Sequence, residues 1–230
     1  MKQILGFGLP ISATLLILLF SVKTEKIGIK ITESNFLNHQ LNYQLALLLL
    51  ALSCMIFTVL VAPESKQLLQ IGKINAGTSG IKWLGIKDNS NWLKEGISLS
   101  IVITLVTGVF LFFSFKSHFS SLSPLKDVIL WILLIAVFNA FSEEIIYRFT
   151  IVGNLGSSFS IRQIALISGL IFGLSHMFGT PSGIIGLTLS GILGFVLTLS
   201  LKETNGLFWA WTIHFLQDVL IIGTLYLKNS

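Results

Sequence analysis

Six ionisable side chains lie inside the apolar C-terminal half of this 230-residue chain. Glu143, Glu144 and Arg148 fall in FNAFSEEIIYRFTIV. His176 stands four residues after Phe172 in SGLIFGLSHMFG, and His214 four residues before Asp218 in AWTIHFLQDVL. A charged side chain at the centre of a bilayer costs about 2.5–3.5 kcal/mol on insertion scales, so each needs a partner or a function. Packing alone explains part of the set. Glu144 and Arg148 are four apart on one helix face, acid first, and can neutralise each other as buried charges must. A lone histidine such as His176 is commonly a hydrogen-bonded packing residue, and His214 and Asp218 can satisfy each other. Glu143 is left over: it points about 100° away from Glu144 around the helix, and its own neighbour four residues on is Tyr147.

One carboxylate and two imidazoles make the ligand set of a catalytic zinc with an open position for water. Glu143, His176, His214 and Asp218 are then the expected ligands of zinc or another divalent metal, which would acidify a bound water and polarise a carbonyl. Without a metal, Glu143 can act as general base to a water, while the histidines and Asp218 orient that water or stabilise the oxyanion. Both routes are hydrolytic and suit attack on a peptide bond. Neither a G-x-S-x-G serine signature nor a zincin H-E-x-x-H is present.

The elements that must position these groups are membrane helices. Hydrophobic residues make up 53% of the chain and charged ones 11%, against roughly 25% charged in a soluble domain. Mean hydropathy is +0.86. The expected fold is all-α, a polytopic transmembrane helical bundle of about seven spans, near 4–22, 43–62, 97–115, 127–155, 161–178, 182–201 and 206–227. The lipid bilayer is therefore an expected partner. The net charge of +5 comes with no aromatic-interleaved basic patch, so nucleic acid is not an expected partner. Run 4–22 is long for a signal-peptide core and FSVKTEK offers no cleavage site, so it reads as a retained first span. Cys54, the single cysteine, sits in an apolar run and reads as a buried thiol. The chain reads as a single integral domain, with N-terminal spans and an interfacial loop over 1–96 and a catalytic membrane core over 97–230.

Loop 63–96 mixes five lysines with Trp83 and Trp92, which suits a segment lying at the membrane interface. Lysine counting puts that loop and the N-terminus on the cytoplasmic side. Gly169 with Gly173, and Gly186, Ser190 and Gly194 on the next span, are spaced for close helix packing. If span 127–155 ends near Asn154, Glu143 lies ~16 Å below that face, His176 ~21 Å and His214 ~12 Å. Helix tilt absorbs such differences, so Glu143, His176, His214 and Asp218 are expected to converge near mid-membrane.

E-E-x-x-x-R, F-x-x-x-H and H-x-x-x-[D/N], in that order on separate helices, resemble the CAAX-protease and bacteriocin-processing (CPBP, or Abi) family, which includes the type II CAAX prenyl endopeptidases. The resemblance covers roughly residues 125–225. It implies a membrane-embedded endopeptidase, with Glu143 activating water, Glu144 paired with Arg148, and His176, His214 and Asp218 completing the site. The last position is often Asn in relatives, and the charge of Asp218 favours a metal-ligand role. The Lys-, Ile- and Asn-rich composition points to a low-GC bacterium, hence to the bacterial plasma membrane. The expected substrate is a membrane-associated peptide or protein, and prenylated CAAX chains are not expected there. Two alternatives predict different behaviour. A non-catalytic immunity or partner-binding protein with this fold would keep its function in Glu143→Ala and His176→Ala. A proton-coupled carrier would show broken helices and repeated halves.

Overall fold

The computed structural model describes residues 1–21, 30–119 and 121–229. Seven helical stretches are long and apolar enough to cross a membrane. They are α1 (Lys2–Ser21), α2 (Asn35–Val61), α3 (Trp92–Ser114), a composite fourth span, α6 (Ile161–Ser175) continued by a 3-10 turn at His176–Phe178, α7 (Gly183–Thr204) and α8 (Phe208–Asn229). No β-strand occurs among the described residues. The chain is thus an all-α, multi-pass membrane protein. Large apolar side chains on the outer faces, such as Leu60, Leu105 and Leu130, are exposed and suit contact with lipid.

Local chemistry sets the ends. The Ser34 hydroxyl and the Asn91 side-chain carbonyl accept the backbone N–H of Leu37 and Lys94, capping α2 and α3. Ser160 and Gln163 form a capping box at the start of α6. Asn205 ends α7 in the left-handed conformation.

The fourth span is not a plain helix. α4 (Leu125–Glu144) runs into a π turn (Ile145–Phe149) and resumes as α5 (Thr150–Leu155). The Thr150 backbone N–H donates to Ile145 O, five residues back, and the Thr150 hydroxyl bonds the same oxygen at 2.9 Å. Such π turns occur frequently at functional sites. This one follows directly on Glu143 and Glu144.

α4 packs against α2 and α8, α1 packs against α5, and α3 leans on α8. α6 and α7 form the tightest pair. A Cβ at Gly169 would lie 2.6 Å from Gly191 O, and one at Gly173 2.5 Å from Leu187 O, so backbone meets backbone. Gly169→Val is therefore expected to destabilise the protein by about 1–3 kcal/mol through overpacking. Thermal unfolding in detergent checks this, and an unchanged midpoint would mean that the hairpin opens freely.

The loop expected to lie at the membrane interface is largely folded onto the bundle. Trp83 fits the expectation, 60% exposed beside Phe195. Trp92 does not: it is fully buried, and its indole N–H donates to Glu203 Oε2 at 2.7 Å. Lys73 N–H bonds Thr204 O, and the Trp209 indole bonds Ile74 O. Indole burial and backbone pairing draw the loop over the ends of α7 and α8. Cys54 is a buried free thiol.

Candidate active site

The α4 helix delivers Glu143 and Glu144, both buried, to the centre of the bundle. Their partners come from α6 and α8. Glu143 Oε2 lies 3.5 Å from His214 Nε2 and 3.9 Å from His176 Nε2. Asp218 Oδ1 lies 3.7 Å from His214 Nε2. The four side chains that helix depth brought to one level thus meet in space.

Hydrogen bonds on the far side fix both rings. His176 sits where α6 tightens into its 3-10 turn, and its Nδ1–H donates to Phe172 O at 2.9 Å. His214 Nδ1–H donates to Glu144 Oε1 at 2.7 Å. A carbonyl and a carboxylate only accept, so both protons sit on Nδ1 and both Nε2 atoms turn toward Glu143. Glu143 Oε2 is buried with no hydrogen-bond partner among the described residues.

Glu144 therefore does more than the sequence suggested. Arg148 is its ion-pair neighbour, Nε to Oε2 at 3.4 Å, with both side chains fully buried. The same carboxylate also holds His214. The three guanidinium nitrogens make no hydrogen bond among the described residues. Instead the guanidinium stacks over the Phe172 ring, Cζ 3.8 Å from its centroid. Phe172 also touches the rings of His176 and His214, with centroids 4.3 and 5.6 Å away.

Two contributors went unnoticed in the sequence. Asn139 Nδ2 donates to Asp218 Oδ2 at 3.1 Å, and Gln44 Nε2 donates to Asn139 Oδ1 at 3.0 Å. This chain of amides ties α2 and α4 to the Asp218 carboxylate on α8. The available signal was an amide inside an apolar run, four residues before Glu143.

A cavity of about 750 Å³ opens onto the cluster. Glu143, His176, His214 and Asp218 line it, with Tyr43 from α2 and apolar side chains of α3 and α7 around them. The acid, the two imidazoles and an apolar chamber suit hydrolysis of a substrate shielded from bulk water.

No group of three or more His, Cys, Asp or Glu among the described residues is set to hold a metal ion. Tetrahedral zinc with bonds of about 2.0–2.1 Å keeps its ligands roughly 3.4 Å apart. The Glu143–His214 distance of 3.5 Å meets that spacing, whereas 3.9 Å to His176 and 3.7 Å between His214 and Asp218 exceed it. As placed, these side chains do not form a metal cage.

Glu143, His214 and Asp218 lie buried among helices long and apolar enough to cross a membrane. Residues 124–220 match the family model described as Type II CAAX prenyl endopeptidase Rce1-like. That stretch is similar to this family, in agreement with the resemblance carried by the three motifs. It contains Glu143, Glu144, Arg148, His176, His214 and Asp218, and leaves out α1 to α3. No curated protein and no solved structure matches the chain.

Proposed function

We propose that the chain is an intramembrane endopeptidase in which Glu143 activates the attacking water. The observation that carries this reading is the buried Glu143 Oε2, without a hydrogen-bond partner among the described residues and facing two imidazole Nε2 atoms across 3.5 and 3.9 Å. A water between these groups would meet a proton acceptor and two orienting nitrogens at the head of the cavity. Glu144 and Arg148 act behind the site, Glu144 by holding His214. Asn139 holds Asp218. The substrate is a peptide or protein of the membrane in which the chain sits, the plasma membrane of a bacterium, such as a leader or bacteriocin-like peptide.

A second reading is a metallopeptidase with Glu143, His176, His214 and Asp218 as ligands. One observation favours it: both rings are anchored through Nδ1–H and present Nε2, the habit of histidines that bind metal. His176 would then close on Glu143 by about half an ångström. The metal content of purified protein separates the two readings. The glutamate reading expects less than about 0.1 metal per chain and activity that survives dialysis against chelator, whereas a metal site of the ordinary kind expects about one per chain.

The test of the function compares membranes from cells carrying wild type and Glu143→Gln by peptide mass spectrometry. Peptides that accumulate only with the variant are the expected substrates. Identical profiles would overturn the peptidase reading and favour the non-catalytic, partner-binding alternative.

A further inference from the structure

We propose that Glu95, on α3 and outside the family match, is a specificity-determining residue that holds a lysine or arginine of the substrate about three residues from the bond that is cut. This rests on the peptidase reading above and names the class of peptide it takes.

The chain has 15 lysines and arginines, yet none is among the described residues that line the chamber. The carboxylates on its walls are Glu95, Glu143 and Asp218. Two of them are accounted for: Glu143 faces the imidazoles, and Asp218 is held by Asn139. Glu95 stands apart, half-buried in the first turn of α3. An acid there favours the helix N-terminus, and the Ser90 hydroxyl donates to its Oε1. Neither contact supplies a countercharge. Lys87 and Lys94 border a polar groove on the outer side of Glu95, but no ion pair engages this carboxylate among the described residues. Its cation is left to whatever enters the chamber.

Helix register places Glu95 relative to the chemistry. A Cβ on Gly96 of α3 would run into the Trp209 ring of α8, and Gln217 Nε2 donates to Thr104 Oγ1 at 3.0 Å. The two pairs carry the same offset in number, so α3 and α8 run parallel and Glu95 stands level with Phe208. From there to His214 is ~9 Å along the axis, at 1.5 Å per residue. An extended peptide rises about 3.3 Å per residue. About three residues of substrate therefore separate the position at Glu95 from the position at the cluster.

Past the cluster, toward the C-terminal end of α8, the walls are mostly apolar: Ile221, Ile222 and Leu225 of α8, with Val106 and Phe110 of α3. The two ends of the chamber thus match a membrane peptide with an apolar stretch on one side of the cut and a basic residue on the other. Lysine and arginine ordinarily flank membrane segments. An acidic residue at the same position would meet like charge, which selects against such peptides.

The probe is a synthetic copy of the peptide that accumulates most with Glu143→Gln, with a fluorophore and quencher flanking the bond that wild type cuts. A lysine or arginine is expected about two to four residues from that bond. A second copy carries norleucine in place of this cation, and a third carries glutamate. With full-length protein in detergent, wild type should cut the first copy about tenfold better than the second in kcat/KM. Glu95→Gln, which can still accept the Ser90 hydroxyl, should lose this preference while cutting the norleucine copy within about twofold of wild type. Glu95→Lys should prefer the glutamate copy. A carboxylate that serves only the start of α3 would lower the thermal midpoint or slow all three copies alike, and their ratios would not move. Equal ratios in wild type and Glu95→Gln, or a peptide with no basic residue within about five positions of the cut, would overturn the assignment and leave the peptidase reading standing. Absence of any peptide that depends on Glu143 would overturn both.

Discussion

Glu143→Gln is expected to lower peptide hydrolysis by about 10²–10⁴-fold, the range for removing a general base, while the protein stays folded. The change keeps the volume of the side chain and removes its basicity. Glu143 is not the carboxylate that holds the bundle together, because Glu144 makes the contacts to Arg148 and to His214 Nδ1–H. The check is the initial rate on a synthetic copy of the peptide that accumulates with the variant, read beside the thermal midpoint. Activity within about tenfold of wild type would remove Glu143 from the chemistry. A collapsed midpoint would assign it to the fold instead.

Arg148→Met is expected to destabilise the protein by about 3–5 kcal/mol, because it leaves Glu144 charged and uncompensated in a fully buried site. Glu144→Gln should be costly for the converse reason, since the guanidinium has no hydrogen-bond partner among the described residues and relies on this carboxylate and on Phe172. Together the two changes should cost far less than their sum, because replacing a whole buried pair by apolar or neutral groups is often close to neutral. Unfolding of the two single variants and the double variant in detergent closes the cycle. Additive losses would mean that Glu144 and Arg148 do not support each other.

The bundle was legible because composition dictates it: about twenty apolar residues in a row have few other solutions. The meeting of Glu143 with His176 and His214 was legible as depth, since rise per residue counts position along a helix axis. Rotation around the axis was less legible. The 3.6-residue repeat separates Glu143 from Glu144 but cannot reveal that Glu144 reaches across to His214 on α8. The π turn left no mark in IIYRF, because hydrogen bonding five residues back is set by surroundings. Trp83 and Trp92 looked alike in a lysine-rich loop. They part company only through a distant partner, Glu203, which draws one indole inward. Asn139 and Gln44 stand as amides in apolar runs, yet the target of Asn139, Asp218, lies 79 residues away, and Gln44 reaches it only through Asn139.

The π turn also has a consequence of phase. An α-helix is a rigid screw on which the direction of every side chain is tied to every other. One turn closed by five residues shifts the thread by roughly one residue, or about 100°. The half of the span before Ile145 can therefore aim its acids at α6 and α8, while the half after Phe149 presents its own faces to α1 and α2. Lipid-facing and substrate-facing surfaces are set independently on one rod. A segment of the fourth span transplanted without its extra residue would keep its composition and its length, and would point its glutamates at the wrong neighbour.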